Sequence, residues 1–244
     1  MTINRKFRTF ATLFLLLAGM AVAQVDDRAR ELLTGLDSGA APTEVRTMEQ
    51  QMTMTLHDEG LSTSTRSYID FENERAAIIT ETMGMEMVMR YVDGNMSMSM
   101  GGMSMPSMPG MDEAFDGIFD DVTFAGLLDH PDAVATYDGM VSYGDILSGQ
   151  QVSYSGGNLD FAGLGTEMTT VRMIFDESGN LIGQVSPMNG GDLVSVFVGE
   201  PVLEGLALFD AELYQLVGDT ATPFGTMHYE VVTINEPLDE SLFR

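Results

Sequence analysis

From Met83 to Met100 methionine recurs on nearly every second position, in the run TETMGMEMVMRYVDGNMSMSM. Period two predicts strands, and Asp93-Gly94 is a pair favoured in two-residue hairpin turns. With that turn Tyr91 faces Met96, Met89 faces Met98 and Met87 faces Met100. Directly paired residues share a face. Met83, Met85, Met87, Met89, Met96, Met98 and Met100 are therefore expected to point one way, and Glu86, Val88, Arg90, Ser97 and Ser99 the other.

The same period continues upstream. Met48, Met52, Met54 and Leu56 share one face of a strand over Thr47–Leu56, with Gln50 the polar member of that row. Segments 67–71 and 75–82 read as strands that lead into the methionine hairpin, after a turn at His57-Asp-Glu-Gly60. Helical spacing occurs twice. Ala29, Leu32, Leu33 and Leu36 form a stripe on a short helix that Asp26-Asp27 can cap. Phe115, Ile118, Phe119 and Val122 recur at i, i+3, i+4 and i+7, which predicts an amphipathic helix with an acidic back. Leu127 and Leu128 extend it before His130-Pro131.

Between Met100 and this helix, GGMSMPSMPG reads as a mobile loop outside any ladder. Downstream, 141–146, 151–154, 167–175, 181–185, 193–198, 206–217 and 226–234 are candidate strands, with Asp176-Glu-Ser-Gly-Asn180 as a hairpin loop. The expected class is α+β, mainly antiparallel β: a meandering sheet with an N-terminal helix and a helical insertion at 101–131.

Composition changes the picture in three ways. Arg5, Lys6 and Arg8 precede an apolar stretch over 10–20, and Ala21-Val22-Ala23 offers an A-x-A cleavage site. Residues 1–23 are thus expected to be a signal peptide, and 24–244 one exported, periplasmic domain. The chain has no cysteine, which excludes a disulfide framework and a thiol-linked lipid anchor. Its formal net charge is −26, and every cation beyond residue 23 is an arginine. Such a charge argues against nucleic acid as a partner and opposes binding to anionic membrane surfaces.

The sequence nominates no enzyme chemistry and no cofactor. It lacks H-E-x-x-H, G-x-S-x-G and a phosphate-cradling glycine loop. His57, His130 and His228 sit in separate contexts with no evident catalytic partner. Asp112, Glu113, Asp116, Asp120 and Asp121 lack calcium-loop spacing and read as a solvated helix face.

The methionines allow three readings. They are ordinary core, although strands favour Val and Ile; or an adaptable apolar binding surface; or a soft-metal site for Cu(I) or Ag(I). The binding-surface reading takes Met52, Met54, Met83, Met85, Met87, Met89, Tyr91, Met96, Met98, Met100, Phe115, Ile118 and Phe119 as ligand contacts. The metal alternative uses Met96, Met98, Met100, Met103, Met105, Met108 and Met111, with no histidine between His57 and His130.

The order of these elements resembles the LolA/LolB-like family of outer-membrane lipoprotein-sorting proteins. The resemblance rests on the N-terminal helix, the Thr47–Leu56 strand, Tyr68-Ile-Asp-Phe-Glu-Asn-Glu-Arg75, Tyr91-Val-Asp-Gly94, the helical insertion and the hairpin around Asp176. It closes on Tyr229-Glu-Val-Val-Thr-Ile-Asn-Glu-Pro-Leu-Asp-Glu-Ser-Leu-Phe243 and covers nearly all of 24–244. It implies an unclosed half-barrel whose apolar face holds acyl chains under a helical lid, with a lipid or lipidated protein and an envelope membrane protein as partners. Two features depart from the family. Asn73 and Glu74 stand where it often has a proline, and the methionine hairpin with its Pro/Gly segment goes beyond the usual pattern. An envelope sensor using the same fold is a third functional reading.

Overall fold

In the computed structural model, which describes residues 24–36, 45–57, 60–106, 119, 124–129, 132–156, 170–188, 190–202 and 208–244, the alternating segments become strands of one 14-stranded sheet. They are β1 (Gln24–Val25), β2 (Thr47–Leu56), β3 (Leu61–Asp70), β4 (Arg75–Thr82), β5 (Met85–Val92), β6 (Asn95–Met100) and β7 (Met103–Met105), followed by β8 (Val134–Tyr143), β9 (Leu147–Ser155), β10 (Val171–Phe175), β11 (Leu181–Met188), β12 (Gly191–Val198), β13 (Asp210–Val217) and β14 (Thr220–Ile234). Across the sheet the order is β1-β8-β9-β10-β11-β12-β13-β14-β2-β3-β4-β5-β6-β7. β1 and β8 run parallel; the other neighbours are antiparallel hairpins or, at β14–β2, a long-range antiparallel pair. The described residues also include α1 (Asp27–Leu36), α2 (Phe124–Asp129) and a C-terminal 3-10 turn (Glu240–Phe243). Strands β1 and β7 form the two edges, so the sheet is unclosed, an α+β half-barrel of the expected class.

The β4–β7 edge is built by three two-residue turns. Met83 and Gly84 have φ of 55° and 74°, Asp93 and Gly94 53° and 71°, Gly101 and Gly102 56° and 79°. Two successive positive φ values make a type I′ turn, whose twist matches that of the flanking strands. The Asp93-Gly94 turn produces the expected register, with Tyr91 opposite Met96, Met89 opposite Met98 and Met87 opposite Met100.

The other two turns correct the sequence reading. Met83 leaves the methionine row: it is a turn residue, 74% exposed, and Thr82 pairs with Met85 around it. The segment after Met100 does not leave the ladder at once. Gly101-Gly102 supplies a turn, and Met103 and Met105 pair with Met100 and Met98. The ladder stops at Pro106, which lacks the N–H needed to continue it. Downstream, β8 begins at Val134 and ends where 144–146 turn, so the strand expected at 141–146 lies earlier in the chain.

Both helices pack on one face of the sheet, called inner here. Ala29, Leu32 and Leu33 of α1 and Leu128 of α2 join Val152, Tyr154, Met173 and Phe175 in a core over β8–β11. Phe197 and Phe209 stack beside it with centroids 4.8 Å apart. Asp26 stands at the cap of α1, where its carbonyl accepts the Arg30 N–H at 2.8 Å, while its carboxylate accepts the Tyr137 backbone N–H at 2.8 Å and ties the start of the helix to β8. On the outer face, Leu147, Ile174, Val185, Val194 and Leu216 form a second core. The C-terminal turn covers Tyr68 and Ala77 on the outer face of β3 and β4 with Leu238, Leu242 and Phe243.

Candidate functional site

Register carries the inner face across the sheet in continuous rows. One row runs Phe197, Ala211, Met227, Met54, Thr63, Thr82, Met85. The next runs Tyr229, Met52, Thr65, Thr80, Met87, Met100, Met103. A third runs Val232, Gln50, Ser67, Ile78, Met89, Met98, Met105, and a fourth Ile234, Met48, Ile69, Ala76, Tyr91, Met96. The structure thus brings Met52, Met54, Met85, Met87, Met89, Tyr91, Met96, Met98 and Met100 onto one face, as the alternation required.

Burial divides these rows. The fourth is closed: Ile69, Ala76 and Tyr91 are buried, with Met48, Ile78, Met89 and Met96 packed around them under Phe119. The Phe119 ring lies 5.5 Å from Tyr91 and 6.4 Å from Phe71, edge-on to the latter. Met98 is 7% exposed, whereas Met85 is 59% and Met103 73% exposed. Between these extremes Met52, Met54, Met227 and Tyr229 are half-buried. Burial pushes the Tyr229 hydroxyl pKa up, with the charge of Asp210 adding to the shift.

The face is not purely thioether. Thr63 and Thr82 share a hydrogen bond across strands at 3.0 Å, and Thr65 and Thr80 one at 3.4 Å. This stripe separates Met52 and Met54 from Met85 and Met87, and each bond pairs two threonine hydroxyls across neighbouring strands. Gln50 is different: its Oε1 is sealed from solvent and meets no donor among the described residues. A buried acceptor left unpaired costs roughly 1–3 kcal/mol.

Several positions of the candidate site were missed in the sequence. Met227 and Tyr229 complete the rows, yet their partner strand β2 lies about 170 residues away and no local signal announces the pairing. Thr80 and Thr82 fall in the strand expected at 75–82, whereas Thr63 and Thr65 precede the one expected at 67–71, which in fact begins at Leu61. Phe115, Ile118, Met108 and Met111, and the acidic group 112–121, lie outside the described residues, as does His130. His228 has a partner that sequence reasoning did not supply, the Asp210 carboxylate at 2.7 Å, on an exposed outer surface. His57 sits in an exposed turn.

The outer face opposite the open rows is polar. A shallow cleft of about 430 Å³ lies between Thr53, Ser62, Ser64, Glu81 and Glu230, with Met83 and Gly84 at its rim. Glu230, the extra residue of a bulge in β14, accepts hydrogen bonds from Gln51 and Thr53, each at 2.6 Å. Arginines are spent on structure: Arg172 pairs with Asp192, Arg90 donates to the Leu242 carbonyl at 2.7 Å, and Arg75 holds Asp70 and Glu240. The inner rows carry none of them.

No family model matches the chain, and no curated protein matches it. Among solved structures it is similar to a DUF1329 family protein from Desulfovibrio piger, with a TM-score of 0.52 at 9% identity, over 91% of this chain and 98% of that one. At that identity the likeness is one of fold. Among the described residues no helix is long and apolar enough to cross a membrane.

Proposed function

We propose that the protein is an exported periplasmic carrier that binds an acyl chain, free or attached to a polypeptide, on the open part of its inner face, without covalent chemistry. The observation that carries this reading is the half-buried band of Met52, Met54, Met227 and Tyr229, apolar and uncharged, between two closed cores on the same face. Unbranched, polarizable side chains adapt to a flexible chain better than a jigsaw core would. The resemblance of element order to the LolA/LolB-like family supports the reading and suggests lipidated protein as cargo. The broad likeness of fold to the DUF1329 protein is compatible with it.

The energetics suit a carrier. Burying about twelve methylenes offers roughly 10 kcal/mol at about 0.8 kcal/mol each. Association costs roughly 4–15 kcal/mol. One chain therefore binds weakly and reversibly, which lets the cargo leave.

Native mass spectrometry of the purified protein with dodecanoyl lipids and lipopeptides tests the proposal. Complexes are expected with wild type, and Met52→Ser with Met54→Ser should lower their occupancy at least tenfold. Absence of any lipid complex sinks the reading. Gln50 adds a second measurement: its Oε1 is buried without a donor among the described residues, so Gln50→Leu should gain about 1 kcal/mol of stability in urea unfolding. Periplasmic fractionation checks the export.

A further inference from the structure

We propose that Met87, Met100 and Met103 form a thioether site for a soft monovalent cation, Cu(I) or Ag(I). This goes beyond acyl binding and does not depend on it.

The argument begins with placement. The three residues sit directly opposite one another on β5, β6 and β7, in one row of one face. Counting from the Asp93-Gly94 turn, Val92 and Asn95 flank it as a hydrogen-bonded pair, so Met87 and Met100 form a non-hydrogen-bonded pair. Such pairs bring Cα atoms to about 4.5 Å and side chains closest together. Three rotatable bonds beyond Cα let the sulfurs converge from that spacing.

The second step is exposure. Met100 is 37% and Met103 73% exposed, so an ion reaches the row from solvent. An exposed row gains little from burial, and for a strand Val or Ile would serve better. What methionine has and Leu, Ile and Val lack is a sulfur lone pair. The third step is the donor set. Thioethers are soft and neutral, and they select Cu(I) over Zn²⁺, Mg²⁺ or Ca²⁺. Among the described residues no group of three His, Cys, Asp or Glu gathers to hold a harder metal. The net charge of −26 favours the approach of a cation.

This assignment moves the site expected from the sequence. Met96 belongs to the closed cluster under Phe119 and Met98 is buried, so neither is free to ligate. The site instead gains Met87, from the strand before the hairpin.

Thioethers carry no titratable proton, so binding should not compete with protonation as it does for His or Cys ligands. The experiment is an anaerobic Cu(I) titration of the full chain against a chromophoric Cu(I) chelator at pH 5.5 and pH 7.5. One Cu(I) per chain is expected, with affinity changing less than threefold between the two pH values. Met87→Leu, Met100→Leu and Met103→Leu together keep the row apolar and should weaken binding at least tenfold. If that variant misfolds, Met103→Leu alone, at a solvent-exposed position, should weaken it several-fold. Unchanged binding in these variants, a steep loss at pH 5.5, or loss in Met108→Leu/Met111→Leu instead would overturn the assignment.

Discussion

Arg75 shows how one residue joins distant parts of a chain that has few cations. Its Nε donates to Asp70 at 2.8 Å, its two terminal nitrogens grip Glu240 at 2.7 Å each, and its guanidinium lies 4.4 Å from the Phe243 ring centre. Asn73 donates to the same Asp70 carboxylate from its backbone and side chain. Burial by itself would raise the Asp70 pKa, but the bonds from Asn73 and Arg75 win and hold it below the usual carboxylate value. The hydrogen bonds from Arg75 lower Glu240 as well. The geometry also explains why no proline stands just before Arg75. Asn73 must donate its N–H, and Glu74 has φ of 48°, so proline fits at neither position. Arg75→Ala leaves the buried Asp70 carboxylate with the neutral Asn73 donors but no counter-charge and is expected to cost about 3 kcal/mol at pH 7, measured by urea unfolding. Both carboxylates have folded pKa values below their unfolded ones. Their contribution is therefore complete above the unfolded value and is lost as pH falls through the folded one. The gap between wild type and variant should stay level from pH 7 to about 5 and narrow below about 4.

At the scale of elements, turns decide what the methionines do. The Asp93-Gly94 hairpin was legible to the residue, because a strong turn pair and period two fix register together. The same alternation hid the Met83-Gly84 turn, since methionine is not a turn residue and its position in the pattern looked like strand. Gly101-Gly102 was misread in the opposite sense: glycines that look like a break supply the positive φ of another I′ turn. Strand β2 was legible, whereas its pairing with β14 was not, because a contact between Met54 and Met227 leaves no mark on either local sequence. The face of the candidate site was thus readable for β2, β5 and β6, and its completion by β14 and the threonine bridges was not. The Met83 turn yields a prediction. A non-glycine residue at φ of 55° carries a strain of roughly 1–2 kcal/mol, which asparagine relieves in part. Met83 is 74% exposed, so little packing is lost with it. Met83→Asn should stabilise the protein by roughly 0.5–1 kcal/mol with acyl binding unchanged. A fall in the urea midpoint would return Met83 to the packed row.

For the whole molecule, the open question is which electrostatic effect controls stability. The chain carries a net charge of −26, so compaction works against self-repulsion. The attractive pairs that salt could weaken are few and unequal. Arg30 with Asp129, at 3.4 Å with both side chains exposed, contributes little on the usual scale of surface pairs. The Arg75–Asp70 pair lies with Asp70 only 4% exposed and is poorly reached by counterions. Repulsion among exposed carboxylates, by contrast, acts over distances that salt screens well. Glu81 and Glu86 even face each other across the β4–β5 hairpin, an arrangement that destabilises when like charges are directly opposed. Raising NaCl from about 50 to 500 mM shortens the screening length from roughly 14 to 4 Å. Repulsion should therefore fade faster than the buried pair, and the urea midpoint should rise. Urea is the right denaturant because guanidinium would screen the charges itself. Arg75→Ala should show the same upward slope, since its lost contacts are not the ones salt acts on. A midpoint that falls with salt in wild type but not in Arg75→Ala would instead place the balance with the arginine pairs, and make the acidic surface incidental to stability.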